Sequence, residues 1–362
     1  MQTLTITSND AGRRLDRFLR KYLPKASLGE IYKMIRKDIK VNSKRQSESY
    51  ILEEGDLLTL YISDETLKKF RGADAAAVNS KGVVNGNTSG PSRNGTGSSG
   101  HGPRRSFGII YEDDDILIVN KPFGLLTHGD SHEKKNHLAN QVKDYLIATG
   151  AYDPRNEKVF SPAPVNRLDR NTTGIVVFGK TSDAMRELSR KIRENEARKF
   201  YLALACGEIS KSVRLSGSLT KDEDSNTVKI ISGDGSGAFI KAGGSEARQI
   251  ETIVAPVRFL DLGDGIRLTL CEIELVTGRT HQIRAHLASI GHPLAGDSKY
   301  ADAYSAKINE KLKKRFGITT QLLHAQRIEI EGRSFEAPLP DRFEKVLNAC
   351  RKTGTQTPIK HK

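Results

Sequence analysis

The segment 166–180 carries the residues best suited to chemistry. Asp169 stands between two arginines, Arg167 and Arg170, just before Gly174 and a short apolar run. Positive charge on both sides keeps a carboxylate ionised at neutral pH, and an ionised carboxylate can act as a nucleophile or as a base. The same pattern also suits a structural salt-bridge cluster, so other parts of the chain must decide between the two interpretations.

The residues that must position Asp169 run from 107 to 350 and alternate between strand-like and helix-like segments. Short apolar runs predict strands, whereas apolar residues at helical spacing predict helices. The predicted strands are 116–120, 200–207 and 266–276, and the predicted helices are 184–192 and 281–287, the second ending near Gly291. Many strands with few long helices predict an α+β domain with a mixed, largely antiparallel sheet.

The composition indicates an anionic partner. The chain has 362 residues and a formal net charge of +14, and residues 13–45 hold 12 Lys or Arg against 3 Asp or Glu. Concentrated positive charge of this kind attracts nucleic acid. Cys206, Cys271 and Cys350 lie far apart without a Cys-x-x-Cys pair, which argues against a disulfide framework and fits a reducing compartment.

Other patterns argue against a secreted protein, a membrane protein and a metal site. The N-terminus has neither a basic nor an apolar signal region, and no apolar stretch approaches the length of a membrane span. We therefore expect a cytoplasmic protein, a monomer, without a membrane partner. Asp113–Asp115 is interpreted as a solvated turn, and His281 and His286 as helix-packing residues, so no metal site is predicted.

Residues 1–65 predict a small α/β module that precedes the larger domain. Apolar residues recur at helical spacing from Leu15 to Leu23, and Ser27-x-x-Glu30 has the spacing of a capping box that opens a second helix. Residues 40–42 and 55–62 predict short strands. The basic helices of this module are expected to bind RNA, with an ordinary solvated surface as the alternative.

Three segments look unsuited to a packed core. Residues 79–105 contain 7 Gly, 5 Ser and 4 Asn with 4 Lys or Arg and no acidic residue. Such a composition buries too little apolar surface to offset the entropy of ordering, which predicts a flexible basic linker over 66–106. The basic end of the chain, 351–362, is predicted to be a frayed tail, and 233–244 a variable loop.

Five motifs in a fixed order resemble the RluA-type pseudouridine synthases, enzymes that isomerise uridine within RNA. The motifs are residues 111–128, 166–180, 199–203, 277–300 and 323–340. The N-terminal module resembles the αL RNA-binding motif of a ribosomal small-subunit protein and of tyrosyl-tRNA synthetases. The resemblance implies a pseudouridine synthase catalytic domain over 107–350.

The resemblance also implies roles for individual residues. Asp169 becomes the catalytic aspartate that attacks the sugar or acts as a base there, and both options stay open. Arg284 becomes its ion-pair partner, with Arg279 as the competing choice. Tyr201 becomes the tyrosine beside the target base, with a sheet-core tyrosine as the alternative. No metal, redox or small-molecule cofactor is implied.

RNA contacts complete the prediction. A uridine in folded RNA must leave its stack, at a cost of about a few kcal/mol. Arg167 is our candidate to fill the gap, because a guanidinium stacks on bases and pairs with phosphate; a structural ion pair is the alternative. The other predicted RNA-contacting residues are Arg170, Arg279, Arg14, Arg17, Arg36 and Lys37.

The second motif departs from the family pattern at three positions: Asn166 replaces a histidine, Asn171 replaces an aspartate and Thr173 replaces a serine. The appended module favours a large structured RNA, so the expected target is large-subunit ribosomal RNA, with transfer RNA as the runner-up. A non-catalytic RNA chaperone or ribosome-assembly factor is the alternative of a different class.

Overall fold

The computed structural model describes residues 1–71, 105–222, 227–231, 248–353 and 356–358. These residues form two compact units. The first unit contains the described residues 1–71 together with 142–163 and 179–186. The second contains 105–141, 164–178 and the described residues from 187 onward. Most of residues 66–106, including the Gly-rich part of the predicted linker, and the predicted loop 233–244 lie outside the described residues.

The N-terminal module is a small three-stranded sheet with three helices. Its elements are β1 (Gln2–Thr5), α1 (Leu15–Tyr22), α2 (Leu28–Lys37), β2 (Ile39–Val41), β3 (Leu57–Leu60) and α3 (Asp64–Arg71). The strands pair antiparallel in the order β1-β3-β2. The predicted capping box is present: the Glu30 N–H donates to the Ser27 hydroxyl, and the Ser27 N–H donates to the Glu30 carboxylate.

Helix α3 occupies the start of the segment predicted as linker. Its Phe70 is buried and packs with the hydrophobic core of the module. Burying a side chain of this size contributes about 1.5–3 kcal/mol, which offsets part of the entropy of ordering the helix. The ordered module therefore extends at least to Arg71, beyond the predicted boundary at residue 65.

A buried carboxylate links the module to the other segments of the first compact unit. Asp10 is fully buried and accepts hydrogen bonds from three consecutive backbone N–H groups, those of Lys158, Val159 and Phe160, at 2.9–3.2 Å. The neighbouring Asn9 accepts from the Ser182 N–H at 2.8 Å. These hydrogen bonds attach the N-terminal segment to both of the later segments of its unit.

Among the remaining described residues a twelve-stranded sheet dominates, and its main path runs β10-β9-β11-β12-β8-β13-β7-β5-β4. The strands are β4 (Gly108–Glu112), β5 (Ile116–Lys121), β6 (Ala163–Pro164), β7 (Thr173–Gly179), β8 (Arg198–Cys206), β9 (Val213–Asp222), β10 (Thr227–Ile231), β11 (Arg248–Asp261), β12 (Arg267–Leu275), β13 (Leu323–Ile330), β14 (Arg333–Glu336) and β15 (Gln356–Pro358). The helices are α4 (Leu138–Ala148), α5 (Ser182–Arg193), α6 (Gln282–Ser289), α7 (Ala303–Phe316) and α8 (Asp341–Thr353). The β13–β7 pair is parallel, whereas β8, β9, β11 and β12 form antiparallel ladders. The predicted α+β class with a mixed, largely antiparallel sheet is confirmed.

One hydrophobic core fixes the strands that border the candidate site. Leu204 of β8 and Leu268 of β12 share this core with Leu312 of α7 and with Phe343 and Val346 of α8. All five side chains are almost completely buried. Close packing of this kind makes β8 and β12 a rigid support for residues on their other face.

The C-terminal end includes regular structure. Helix α8 continues to Thr353, and β15 pairs antiparallel with β11. The tail expected from residue 351 stays a prediction. Backbone hydrogen bonding to β11 supplies order that the basic composition did not indicate. Among the described helices, none is long and apolar enough to cross a membrane.

Candidate active site

Asp169 lies in the loop that joins β6 to β7, and neighbouring side chains hold this loop from both directions. The Asn166 amide donates to the Ile175 carbonyl at 3.1 Å and accepts from the Val177 N–H at 2.9 Å. The Thr127 hydroxyl donates to the Leu168 carbonyl at 2.9 Å and accepts from the Leu168 N–H at 3.1 Å. The backbone is thus fixed immediately before Asp169.

Glycine is required where β7 begins. Gly174 has φ +109°, and a Cβ at this position would lie 2.1 Å from the Ala325 carbonyl oxygen of β13. A side chain would therefore force the two parallel strands apart. The close approach keeps the loop of Asp169 at the edge of a tightly packed strand pair.

Lys121 also holds the loop that carries Asp169. It is fully buried, and its ammonium donates to the carbonyl oxygens of Leu125 at 2.7 Å, Arg170 at 3.1 Å and Pro122 at 3.2 Å. Burial lowers the pKa of Lys121 to about 7, although the Asp169 carboxylate acts in the opposite direction. Lys121 therefore joins its own turn to the residue after Asp169 instead of facing a ligand.

The Asp169 carboxylate is partly exposed and faces two nitrogen donors. Its Oδ2 lies 3.7 Å from Nη1 of Arg284 and 3.8 Å from Nε2 of His281. Arg284 is itself fixed, because Nε and Nη2 donate to the two carboxylate oxygens of buried Asp297 at 2.6 and 2.8 Å. Burial opposes the charge of Arg284, but the Asp297 carboxylate outweighs it and raises the pKa of Arg284.

One glutamine sets the position of the segment that carries Arg279, His281 and Arg284. The Gln282 side-chain oxygen accepts from the Thr277 hydroxyl at 2.9 Å and from the Arg279 N–H at 3.1 Å. Its amide nitrogen donates to the Glu251 carbonyl at 2.9 Å and to the Thr252 hydroxyl at 3.0 Å. A buried amide with all these bonds made holds a loop rigidly.

Tyr201 stands on β8 and lines the same cavity as Asp169. Burial raises the pKa of Tyr201, and the nearby Asp169 carboxylate raises it further. The phenol is consequently un-ionised at neutral pH. A hydroxyl of this kind can donate a hydrogen bond or relay a proton, but it is a poor free base.

The cavity that these residues share has a volume of about 750 Å³. Arg167, Arg170 and Arg279 also line it, and all three are exposed. Arg170 lies 3.7 Å from a carboxylate oxygen of Asp130. This arrangement suits a polymer with an anionic backbone and uncharged bases. The exposed guanidinium groups can bind the backbone, while the cavity that contains the carboxylate can receive a base.

The predicted RNA-contacting residues of the N-terminal module differ in their surroundings. Arg17, Arg36 and Lys37 are exposed. Arg14 instead donates two hydrogen bonds to the Asp16 carboxylate, at 2.9 and 3.1 Å. Part of its charge is therefore engaged within the module.

Several residues that help to form the site were not predicted to do so. His281 was interpreted as a helix-packing residue, but it precedes α6 with φ 56° and points at Asp169, so that interpretation is wrong. Asp297, Tyr300 and Lys121 all fall inside the five motifs, which was a usable signal. The contact of Lys121 with the Arg170 carbonyl, 49 residues later, is not visible in any local pattern. Among the described residues, no group of three or more His, Cys, Asp or Glu could hold a metal ion.

Comparison with known proteins identifies the family. Residues 115–289 match a family model described as RNA pseudouridylate synthase. Ribosomal large subunit pseudouridine synthase C of Vibrio parahaemolyticus is 31% identical, with 97% of each chain covered. The protein of the same name from Escherichia coli K12 is 29% identical, again with 97% of each chain covered.

A solved structure agrees on the fold. Human RNA Pseudouridylate Synthase Domain Containing 4 superposes with a TM-score of 0.51 at 21% identity, covering 67% of this chain and 93% of that one. This match concerns the catalytic fold alone. The family model and the 31% identity to a relative covered over 97% of each chain show that the chain belongs to the RluA-type family of RNA pseudouridine synthases.

Proposed function

We propose that this RNA pseudouridine synthase isomerises specific uridines of large-subunit ribosomal RNA and uses Asp169 as its catalytic residue. The observation that best supports this proposal is that the Asp169 carboxylate lines a cavity beside Arg284, whose orientation is fixed by Asp297. The names of the full-length relatives support the choice of ribosomal RNA. The formal net charge of +14 fits a polyanionic substrate.

The reaction exchanges one glycosidic bond for another. The N1–C1′ bond of uridine breaks, the uracil turns within the cavity, C5 forms the new bond to C1′, and the hydrogen on C5 is then lost while N1 becomes protonated. Either role of Asp169 fits: its carboxylate can attack the sugar carbon as a nucleophile, or remove a proton from the sugar as a base. In both cases Arg284 provides a positive charge beside the carboxylate and helps to orient it.

Tyr201 is proposed to act in the last step. Because its phenol is un-ionised, we propose that it relays the C5 proton towards an accepting group and does not remove that proton by itself. Its ring also offers a flat apolar surface on which a uracil can turn. No step changes the oxidation state, so the proposed chemistry requires only acid, base and nucleophile.

RNA binding is proposed to use two sets of cations. At the cavity, Arg167 takes the place of the extruded uridine, and Arg170 and Arg279 contact the adjoining phosphates. On the N-terminal module, Arg17, Arg36, Lys37 and part of Arg14 contact phosphates elsewhere on the RNA. Binding should therefore weaken steeply as salt rises, and a flat salt response would contradict this assignment.

The decisive experiment is site-resolved pseudouridine mapping of total RNA from cells with and without the gene. Sites in large-subunit ribosomal RNA should disappear, and should return with the wild-type gene but not with Asp169→Asn. Lost sites in transfer RNA alone would refute the choice of target. If Asp169→Asn restored every function, the non-catalytic assembly-factor alternative would replace the enzymatic proposal.

The same proposal places the protein in the cytoplasm as a monomer. Light scattering on the purified chain tests the second point, since a stable dimer would give twice the expected mass.

A further inference from the structure

We propose that His281 is a positioning residue for Asp169, and that Tyr300 selects the tautomer in which it does so. In this arrangement a neutral imidazole directs its Nε2–H at Oδ2 of Asp169, while Nδ1 accepts a hydrogen bond from the Tyr300 hydroxyl. The proposal rests on the catalytic role proposed for Asp169.

The backbone places the ring. His281 has φ 56°, in the left-handed region, immediately before helix α6. Its side chain is mostly buried, its ring meets that of Tyr300 edge-on with an interplanar angle of 89°, and Nε2 lies 3.8 Å from Asp169 Oδ2. A left-handed residue other than glycine or asparagine costs conformational energy, so its persistence at a site suggests a function.

Hydrogen bonding defines the tautomer. The Val228 N–H donates to the Tyr300 hydroxyl oxygen at 3.0 Å, and that hydroxyl lies 3.1 Å from Nδ1 of His281. With its oxygen accepting from Val228, the Tyr300 hydroxyl has its proton available for Nδ1. A neutral imidazole carries one N–H, so acceptance at Nδ1 leaves the hydrogen on Nε2, facing Asp169.

The charges around His281 support a neutral ring. Arg284 and Lys299 disfavour its protonation, Asp169 and Asp297 favour it, and the neighbouring Tyr300 is a phenol. Burial is the largest influence, and the net result is a lowered pKa for His281. Arg284 therefore supplies the positive charge beside Asp169, whereas His281 supplies a directed donor.

The two donors determine which carboxylate oxygen of Asp169 faces the substrate. Arg284 Nη1 and His281 Nε2 both approach Oδ2. Their separations exceed a direct hydrogen bond, as is common for catalytic contacts before substrate binds. Holding Oδ2 against two donors turns Oδ1 towards the sugar, and we assign Oδ1 as the reacting oxygen.

Two amide substitutions test the donor. In His281→Gln the side-chain nitrogen can reach the place of Nε2, whereas in His281→Asn it reaches only the place of Nδ1. We expect single-turnover rates at saturating RNA to be about tenfold higher for Gln than for Asn, with RNA affinity and melting temperature unchanged. Asparagine tolerates a positive φ better than glutamine, so backbone strain would give the opposite order.

Equal rates for the two variants, or a loss of RNA affinity in place of rate, would overturn the proposal. Tyr300→Phe provides an independent test, because it removes the hydrogen-bond donor to Nδ1. We expect it to lower the rate when His281 is present. In the His281→Gln background, which lacks an imidazole, adding Tyr300→Phe should not change the rate. An equal effect of Tyr300→Phe in both backgrounds would show that Tyr300 acts only structurally.

Nitrogen-15 spectra of the imidazole in the wild-type chain test the tautomer without reference to activity. We expect a neutral ring with hydrogen on Nε2 at neutral pH. Hydrogen on Nδ1, or a protonated ring, would overturn the proposal even in an active enzyme. Conversely, turnover by Asp169→Asn would refute the proposed function and leave the spectroscopic result standing, so the two failures are distinguishable.

Discussion

Arg284 and Asp297 form a buried two-point ion pair, with Nε–Oδ2 and Nη2–Oδ1 distances of 2.6 and 2.8 Å. This pairing uses two of the guanidinium nitrogens and leaves Nη1 for Asp169. The Asp169 carboxylate, proposed to be catalytic, thus faces a guanidinium whose orientation depends on a second acid, Asp297.

Removing the charge of that acid should damage both stability and rate. Asp297→Asn leaves Arg284 without its buried counter-ion, which costs about 3–5 kcal/mol in comparable pairs. Denaturant unfolding and single-turnover assays measure the two effects. Glu208→Gln breaks the exposed pair with Arg267 and is the matched control, with an expected cost of about 0–1 kcal/mol. Equal effects of both variants would refute the positioning role of Asp297.

Asp169→Asn should abolish turnover while RNA still binds. The substitution keeps size and shape but removes the nucleophile or base, and we expect the rate to fall by at least about 10⁴-fold. Filter binding to the same RNA should change by no more than about twofold. A variant with near-normal turnover would show that Asp169 is one member of a structural salt-bridge cluster and nothing more.

Tyr201→Phe should separate bond cleavage from the final proton transfer. If the phenol relays the C5 proton, RNA containing 5-deuterated uridine should show a larger isotope effect with the variant than with wild type. An unchanged isotope effect, with a rate loss explained by weaker RNA binding, would assign Tyr201 to stacking alone.

Arg167→Ala should affect structured RNA more than single-stranded RNA. Extruding a uridine from a stem costs about a few kcal/mol that a single strand does not require, and the guanidinium is proposed to offset part of it. The comparison is the rate on a stem-loop against the rate on an unstructured oligonucleotide. Arg267→Ala removes the same charge from another exposed position of the second compact unit and serves as the control. Equal losses on both substrates would leave Arg167 as a simple phosphate contact.

Asp10→Ala should loosen the first compact unit. Three backbone N–H groups, at 158–160, would lose their acceptor, and each unsatisfied buried group costs about 1–3 kcal/mol. Amide exchange at these positions should accelerate, and the melting temperature should fall. Glu54→Gln changes an exposed acid of the same module and should do neither. Unaltered exchange in Asp10→Ala would mean that other contacts suffice.

Sequence patterns anticipated the residues whose chemistry is local. Asp169, Tyr201 and Arg284 each lie in a short motif, and the structure brings all three to one cavity, although their roles stay predictions. The position of His281 beside Asp169 was not predicted, because the helical spacing of the sequence continues through His281 whereas its backbone is left-handed. Tertiary hydrogen bonding, not a sequence period, decided that conformation.

Other features of the structure that local sequence patterns do not indicate have the same origin. Asp10 has three acceptor contacts that depend on residues about 150 positions later, which no local pattern encodes. Helix α3 and strand β15 lie in segments whose composition suggests disorder, yet packing of Phe70 and pairing with β11 order them. Burial and long-range pairing outweighed local propensity at each of these places.

Lys121 shows that the charge of a protein and the charge it offers to a ligand are different quantities. The chain contains 58 Lys and Arg, and all of them contribute to the field that draws a polyanion from a distance. Lys121 directs its ammonium at three backbone carbonyls inside the molecule and presents none of it to the surface. Because burial lowers the pKa of Lys121 to about 7, replacing it with an uncharged residue would change the long-range attraction by less than one full charge at neutral pH. The main effect of the replacement would be on the shape of the loop that carries Asp169.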